Sequence, residues 1–150
     1  MQDRSQSDDP FDLRRFVVAQ QANYECALAE LRAGLKRTHW SWYILPQVSG
    51  LGSSSMSRRY AIRSLAEARA YLEHPALGRR LRDCVAALNA HEGLSAEQIL
   101  GNVDARKLRS CLTLFAQADP ADALFASALA RFFDGKQDAA TLAILASQSG

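Results

Sequence analysis

The sequence predicts an all-α fold: an irregular, orthogonal bundle of seven to eight short helices, with one irregular aromatic-rich segment at about 36–53. Three observations predict it. Apolar residues recur at three- and four-residue spacing through most of the chain. Helix-start signals, in which a cap is followed by proline or by Glu/Gln three residues on, punctuate it at short intervals. Strand-like alternation is missing everywhere except residues 40–44. The frequent starts exclude a long coiled coil and favour orthogonal packing over parallel rods.

The elements follow in order. Residues 1–8 are polar and predict a disordered tail, leaving 9–147 as one all-helical domain. Asp9-Pro10 starts a helix with Phe11, Leu13, Phe16, Val17 and Gln20 on one face. Asn23 caps the next, residues 24–35, with Ala27, Leu28, Leu31 and Leu35 as its stripe. Pro46 then excludes an undisturbed helix through Leu45, because a residue before proline is pushed to extended geometry. Gly50, Gly52 and Ser53 to Ser55 read as loop. A short helix over 54–62 turns Met56, Tyr60 and Ile62 inward and Arg58 and Arg59 outward. Ser64 with Glu67 forms a capping box, and His74-Pro75 starts the helix carrying Leu77, Leu81, Cys84, Val85 and Leu88. Ser95 with Gln98 is a second capping box. Asp104 caps a long helix to about residue 118, with Leu108, Cys111, Leu112 and Phe115 as its stripe. Asp119-Pro120 begins another helix, Asp134-Gly135 stops it, and Asp138 opens the last.

Composition bounds function. The chain has 150 residues, 48% hydrophobic and 23% charged, with a net charge of +2. That is an ordinary globular balance with no global field for nucleic acid. The charge is unevenly placed: residues 32–82 hold ten Lys/Arg against Glu67 and Glu73. A local surplus of this kind suits a small anion. Cys26, Cys84 and Cys111 are odd in number and unpaired in spacing, and sit among apolar helical neighbours. They predict buried free thiols in a reducing cytoplasm. No apolar run suffices to span a membrane. His39, His74 and His91 lack partners at ligand spacing, so no metal is expected, and no cofactor signature is present.

The segment Lys36 to Gly52 is where a site is to be sought. Trp40, Trp42 and Tyr43 beside His39, Lys36 and Arg37 could form a stacking wall with cations, fit for a planar ring bearing phosphates. Equally, Trp40, Tyr43 and Ile44 could plug the core while Thr38 and Gln47 satisfy backbone groups. The run Gly50 to Ser55 ahead of Arg58-Arg59 is a weak anion nest, or simply a connecting loop. On the long helix, Lys107 and Ser110 lie along one line that either faces a pocket or is solvated.

Several runs carry a resemblance. Asp9-Pro-Phe-Asp-Leu-Arg-Arg-Phe, His39-Trp-Ser-Trp-Tyr-Ile-Leu-Pro-Gln and Tyr60-Ala-Ile resemble an uncharacterised bacterial domain-of-unknown-function family. So do Ala68-Arg-Ala-Tyr-Leu-Glu-His-Pro-Ala-Leu-Gly-Arg-Arg-Leu and Lys107-Leu-Arg-Ser-Cys-Leu-Thr-Leu-Phe. The family is all-helical and is often mislabelled "calpastatin". The resemblance covers roughly residues 9–146; it implies an all-α fold and brings no activity. A weaker similarity, to helical domains handling NAD- or ADP-ribose-derived metabolites, rests on the pattern from Leu114 to Gly135. Their acidic catalytic motif has no match here.

The resulting expectation is binding, with hydrolysis as its extension, of a small phosphate-bearing metabolite in a pocket lined by the aromatic segment. Trp40 and Trp42 would stack, Gln47 would hydrogen-bond, and Arg58, Arg59 and Lys107 would neutralise charge. His39 and Asp104 are the acid/base candidates, and whether the protein is an enzyme stays open. The alternative is a non-enzymatic module holding an unknown protein partner with the same aromatic and basic surface. Nucleic acid ranks third, because the basic residues are spread over several helices.

Overall fold

The computed structural model describes residues 9–149, and the expected tail at 1–8 lies outside them. Among the described residues the secondary structure is helical apart from a single bridge. In chain order the helices are α1 (Arg14–Ala33), α2 (Ser41–Ile44), α3 (Ser55–Arg59), α4 (Leu65–Glu73), α5 (Leu77–Asn89), α6 (Ala96–Leu100), α7 (Asn102–Ala118), α8 (Ala123–Phe133) and α9 (Ala139–Ser149). None is long and apolar enough to cross a membrane.

Helix α7 is the axis of the bundle. It packs against α4, α6, α8 and α9, while α5 bridges α1, α4 and α8. Its residues Leu108, Cys111, Leu112, Thr113, Leu114 and Phe115 have no exposed surface, the pattern of a helix covered nearly all round. A string of rings runs through the core from the aromatic segment to α8. Tyr43 meets Tyr60 at 5.3 Å, Phe16 meets Tyr71 at 5.1 Å, and Phe115 joins Tyr71 at 5.4 Å and Phe125 at 5.9 Å. Their tilted and edge-on geometries are those that ring quadrupoles favour.

Most starts and stops fall where local chemistry puts them. Ser95 and Gln98 form the full reciprocal box, and the imidazole Nδ1 of His74 accepts the N–H groups of Ala76 and Leu77 ahead of α5. Asp134 adopts the left-handed conformation and stops α8. Gly78 lets α5 run against the end of α4, since a Cβ there would come within 2.0 Å of the Leu72 carbonyl oxygen.

Four local expectations are corrected. Residues 14–33 form one helix rather than two, because Asn23 donates to the Tyr43 hydroxyl at 2.7 Å instead of capping. Residues 41–44 are a short helix with Trp40 at its N-cap, not a strand, and it ends where Pro46 holds Leu45 at φ −126 and ψ 70. Helix α8 starts at Ala123, three residues after the expected first position Pro120, because Asp122 rather than Asp119 caps it by accepting the Leu124 N–H. Cys26 is exposed and lies outside the apolar stripe, whereas Cys84 and Cys111 are the buried thiols.

One ion pair ties three remote pieces together. The Arg15 guanidinium donates to Glu67 at 2.8 Å, to the carbonyls of Phe11 and Asp12 on its own turn, and to those of Arg59 and Ala61. Glu67 uses its other oxygen to accept the Arg63 N–H. The two side chains are only 9% and 2% exposed, so removing either partner strands the other charge out of water. Glu67→Gln is expected to lower unfolding free energy by about 3 kcal/mol in urea denaturation. Combining it with Arg15→Met should cost clearly less than the sum of the two single changes.

Candidate functional site

The aromatic segment is fixed at its entrance by a buried carboxylate. Glu30 lies on the inner face of α1 with Ala27 and Leu31, one turn before the left-handed Gly34 ends the helix. The chain then doubles back. Glu30 Oε1 accepts the N–H groups of Arg37 and Thr38 and the indole N–H of Trp40, at 2.9, 3.2 and 2.9 Å; Oε2 accepts the Thr38 hydroxyl and the Cys26 thiol. Burial opposes its ionisation, but these donors outweigh burial and lower its pKa from 4.5 to about 2.

Trp40 is thereby drawn into the core and is 1% exposed. Trp42, two residues on, is half-buried at the surface. The difference follows from the short helix α2, which turns the two indoles apart.

Both tryptophans carry a lysine ammonium on a ring face, Lys36 over Trp40 at 4.9 Å and Lys107 over Trp42 at 5.1 Å. Asp104, in the first turn of α7, joins the two lysines. Its Oδ2 lies 3.0 Å from Lys36 Nζ and its Oδ1 3.7 Å from Lys107 Nζ, and Ser41 donates to Oδ1 at 3.0 Å. The expected cap role of Asp104 is thus replaced by tertiary bonds, and Gly101 precedes the helix without a side-chain cap. The cluster holds two ammonium groups against one carboxylate, a local surplus of one positive charge. The two lysines are not equivalent. Lys36 also donates to the Thr38 carbonyl, whereas Lys107 sits beyond hydrogen-bond length from Asp104 and keeps donors in reserve.

Beyond Trp42 the chain makes a loop closed at its base. Ser49 donates to the Ile62 carbonyl at 2.8 Å, and Ile62 to that of Gln47 at 2.9 Å, in a parallel bridge between Val48 and Ile62. A compact excursion with its ends held together in this way is an Ω-loop. Against it lies a small cavity of about 30 Å³, lined by Trp42, Gln47, Ser49, Gly50, Ser57 and Arg58 among others. That volume holds about two water molecules, or the oxygens at one end of an oxyanion, and not a whole nucleotide.

The structure therefore brings Trp42, Gln47 and Arg58 to one cavity, with Lys107 above Trp42. It does not bring the others there. Trp40 is in the core, and the Arg59 guanidinium lies over the Tyr60 ring while its carbonyl serves Arg15. His39 is exposed and outside the cavity wall. Asp104 is held by Lys36, Lys107 and Ser41. Two contributors escaped sequence reasoning. Glu30 is a polar residue on an otherwise apolar face, a signal that could have marked it; Ser41 gives no such signal.

A larger trough, of about 690 Å³, lies elsewhere, between residues 9–21 and 70–74. Its walls include Phe11, Leu13, Val17 and Val18, and the Nδ1 of its one histidine, His74, is already occupied by backbone donors. Size favours the trough. The smaller cleft holds the converging polar groups, and chemistry favours it.

Comparison with known proteins places the chain in a family. Residues 10–145 match DUF1810, a family of proteins of unknown function. The chain belongs to that family. A crystal structure of the conserved hypothetical protein Rv1873 from Mycobacterium tuberculosis, at 1.38 Å, is 50% identical, with a TM-score of 0.91 over 92% of this chain and 99% of that one. No curated protein matches the chain. DUF1810 membership bears out the resemblance carried by the sequence runs, and it brings a fold without an activity.

Glu30 gives the site a measurable acid limit. Its folded pKa of about 2 lies below the ordinary 4.5, so the unfolded chain takes up the proton first as pH falls. The stabilisation is complete above pH 4.5 and is lost as pH falls from there to about 2. It amounts to about 3 kcal/mol. Urea unfolding followed from neutral to strongly acidic pH should show the parent protein losing that much more stability than Glu30→Gln, which has no charge to lose.

Proposed function

We propose that the protein binds a small phosphate-bearing metabolite, nucleotide- or ADP-ribose-like, by seating its anionic end in the cleft beside Trp42. One observation carries the reading. The Lys107 ammonium lies 5.1 Å from the centre of the Trp42 ring with donors to spare, and Trp42 itself lines a cavity together with Gln47 and Arg58. An ammonium and a guanidinium near one indole are the groups that grip a phosphate, and an indole edge suits the apolar remainder of such a ligand. Given the cavity's size, the bulk of the ligand would lie outside it, across Trp42.

The proposal stops at binding. Asp104 has three partners of its own, and His39 lies away from the cavity wall, so hydrolysis rests on the acid/base types alone. The alternative of a protein-docking surface built on this segment is less favoured, because Trp40 offers no exposed face and Trp42 only part of one. The buried free thiols Cys84 and Cys111 suit a cytoplasmic setting.

Calorimetric titration with ATP, NAD and ADP-ribose, beside the corresponding nucleosides, tests the reading. Binding should require the phosphate, and Lys107→Ala or Arg58→Ala should each weaken it by about tenfold or more. A response to nucleosides as strong as to nucleotides, or none to any of them, would sink it.

A further inference from the structure

We propose that Gln47 makes this cleft selective for an anionic group that itself carries a hydrogen-bond donor, so that a protonated phosphate is accepted and a proton-free oxyanion such as sulfate is disfavoured. The inference rests on the anion-binding reading above and names the class of group the site takes.

The geometry fixes which end of the Gln47 carboxamide is free. Ser110 is 2% exposed, and its hydroxyl donates to the Lys107 carbonyl one turn back on α7, at 3.0 Å. A hydroxyl has one proton, and here the helix has it. Toward any other neighbour the same oxygen acts as an acceptor. Gln47 Nε2 donates to it at 2.6 Å. While the Ser110 proton lies on the Lys107 carbonyl, the opposite orientation would set the carboxamide oxygen against a hydroxyl oxygen with no proton between them. The nitrogen end of Gln47 is thus committed to α7. Gln47 itself lines the cavity, and Oε1 is the end it has left to offer there.

The cleft therefore offers a mixed set of groups. Arg58 supplies donors and positive charge, Lys107 adds a second charge at the Trp42 ring, and the Ser57 hydroxyl, which already accepts from Ser54 at 2.9 Å, has its proton to give. Gln47 Oε1 is an acceptor among them. An oxyanion oxygen without a proton, set against that acceptor, leaves two lone pairs facing each other in a confined space. A phosphate that holds one proton presents O–H there and completes the set. Phosphate monoesters retain this proton up to a pKa of about 6, whereas sulfate has none to offer near neutrality. The same Ser110 bond that orients Gln47 is made to the residue carrying Lys107, so acceptor and cation are positioned by one turn of α7.

Inorganic phosphate and sulfate are the probes, titrated calorimetrically into the full chain at about pH 6 and matched ionic strength. Phosphate should bind about tenfold tighter than sulfate, with its affinity falling as pH rises through its second ionisation while that of sulfate stays flat. Gln47→Met keeps the length and removes the acceptor, and should bring the two anions to similar affinity. Ser110→Ala releases the carboxamide to turn its nitrogen into the cleft, and should raise sulfate affinity without loss of folding.

Equal binding of both anions by the parent protein would overturn the inference and leave the anion site standing. A phosphate preference that survives Gln47→Met would assign selectivity to another group and also overturn it. Binding of neither anion overturns it as well, and the nucleotide titrations then decide separately whether a site exists.

Discussion

The architecture around the cleft depends on a charge placed where charges are rarely found. The Glu30 carboxylate sits on the buried face of α1 and has no cationic partner among the described residues; its five hydrogen-bond donors come from Cys26, Arg37, Thr38 and Trp40. Two of them are backbone N–H groups of a segment that belongs to no helix, and one is the indole of the largest buried side chain. Desolvating an isolated carboxylate is costly, and this set of donors offsets it only if the chain turns back tightly after Gly34. The carboxylate, the reversal and the burial of Trp40 therefore stand or fall together. Bonds to a charged acceptor are roughly twice as strong as neutral ones, so a loop that could have been loose is instead rigid at its first five residues.

The far end of the excursion is anchored by a second buried ionic group of a different kind. Arg15 reaches from the start of α1 to the carbonyls of Arg59 and Ala61 and to Glu67 on α4. Its guanidinium satisfies an irregular stretch that otherwise lacks partners, just as Glu30 does at the entrance. Both anchors lie on α1, one near each end of its 20 residues. The cleft residues Trp42, Gln47 and Arg58 fall in sequence between the segments these anchors hold, Arg37 to Trp40 at Glu30 and Arg59 to Glu67 at Arg15. An unbroken α1 over Arg14–Ala33 carries both anchors on one element, with Asn23 inside it giving its amide to Tyr43 rather than to a cap.

This explains what could be read from the sequence and what could not. Caps whose partner lies within three residues were legible, as at Ser64, Ser95 and Asp138, because the donor and acceptor are covalently near and tertiary structure need only leave them alone. The core stripes of α5 and α7 were legible for the same reason of local periodicity. Asn23 and Asp104 were misread because each has a distant partner, Tyr43 for the first and Lys36 for the second, that satisfies it better than a helix end could. Asp119 was misread because Asp122, three residues on, caps the helix in its place. At the cleft, the residue types were legible and their placement was not. Lys107 and Trp42 stand 65 positions apart, and nothing local says that an ammonium on one will rest on the ring of the other. Of the polar residues that do most to set the geometry, Ser110 was legible only as part of a polar line with Lys107, and Glu30 not at all.

The charge arithmetic of the cluster bears on why two lysines share one carboxylate. With Asp104 closer to Lys36, that pair is locally neutral and, with Ser41 and the Thr38 carbonyl, fully satisfied. Lys107 is then held near Asp104 without being neutralised by it. Side chains of 7% and 17% exposure for Lys36 and Asp104, against 22% for Lys107, follow the same order, the least compensated charge being the one nearest water. An ammonium left over in this way would normally be solvated and mobile. Here Trp42 gives it a face to rest on, which is a weaker hold than an ion pair and one that an incoming anion need not break. A single lysine paired tightly with Asp104 would have to give up that pair before taking a ligand. The second lysine removes that conflict, because the structural pairing and the available charge reside on different side chains.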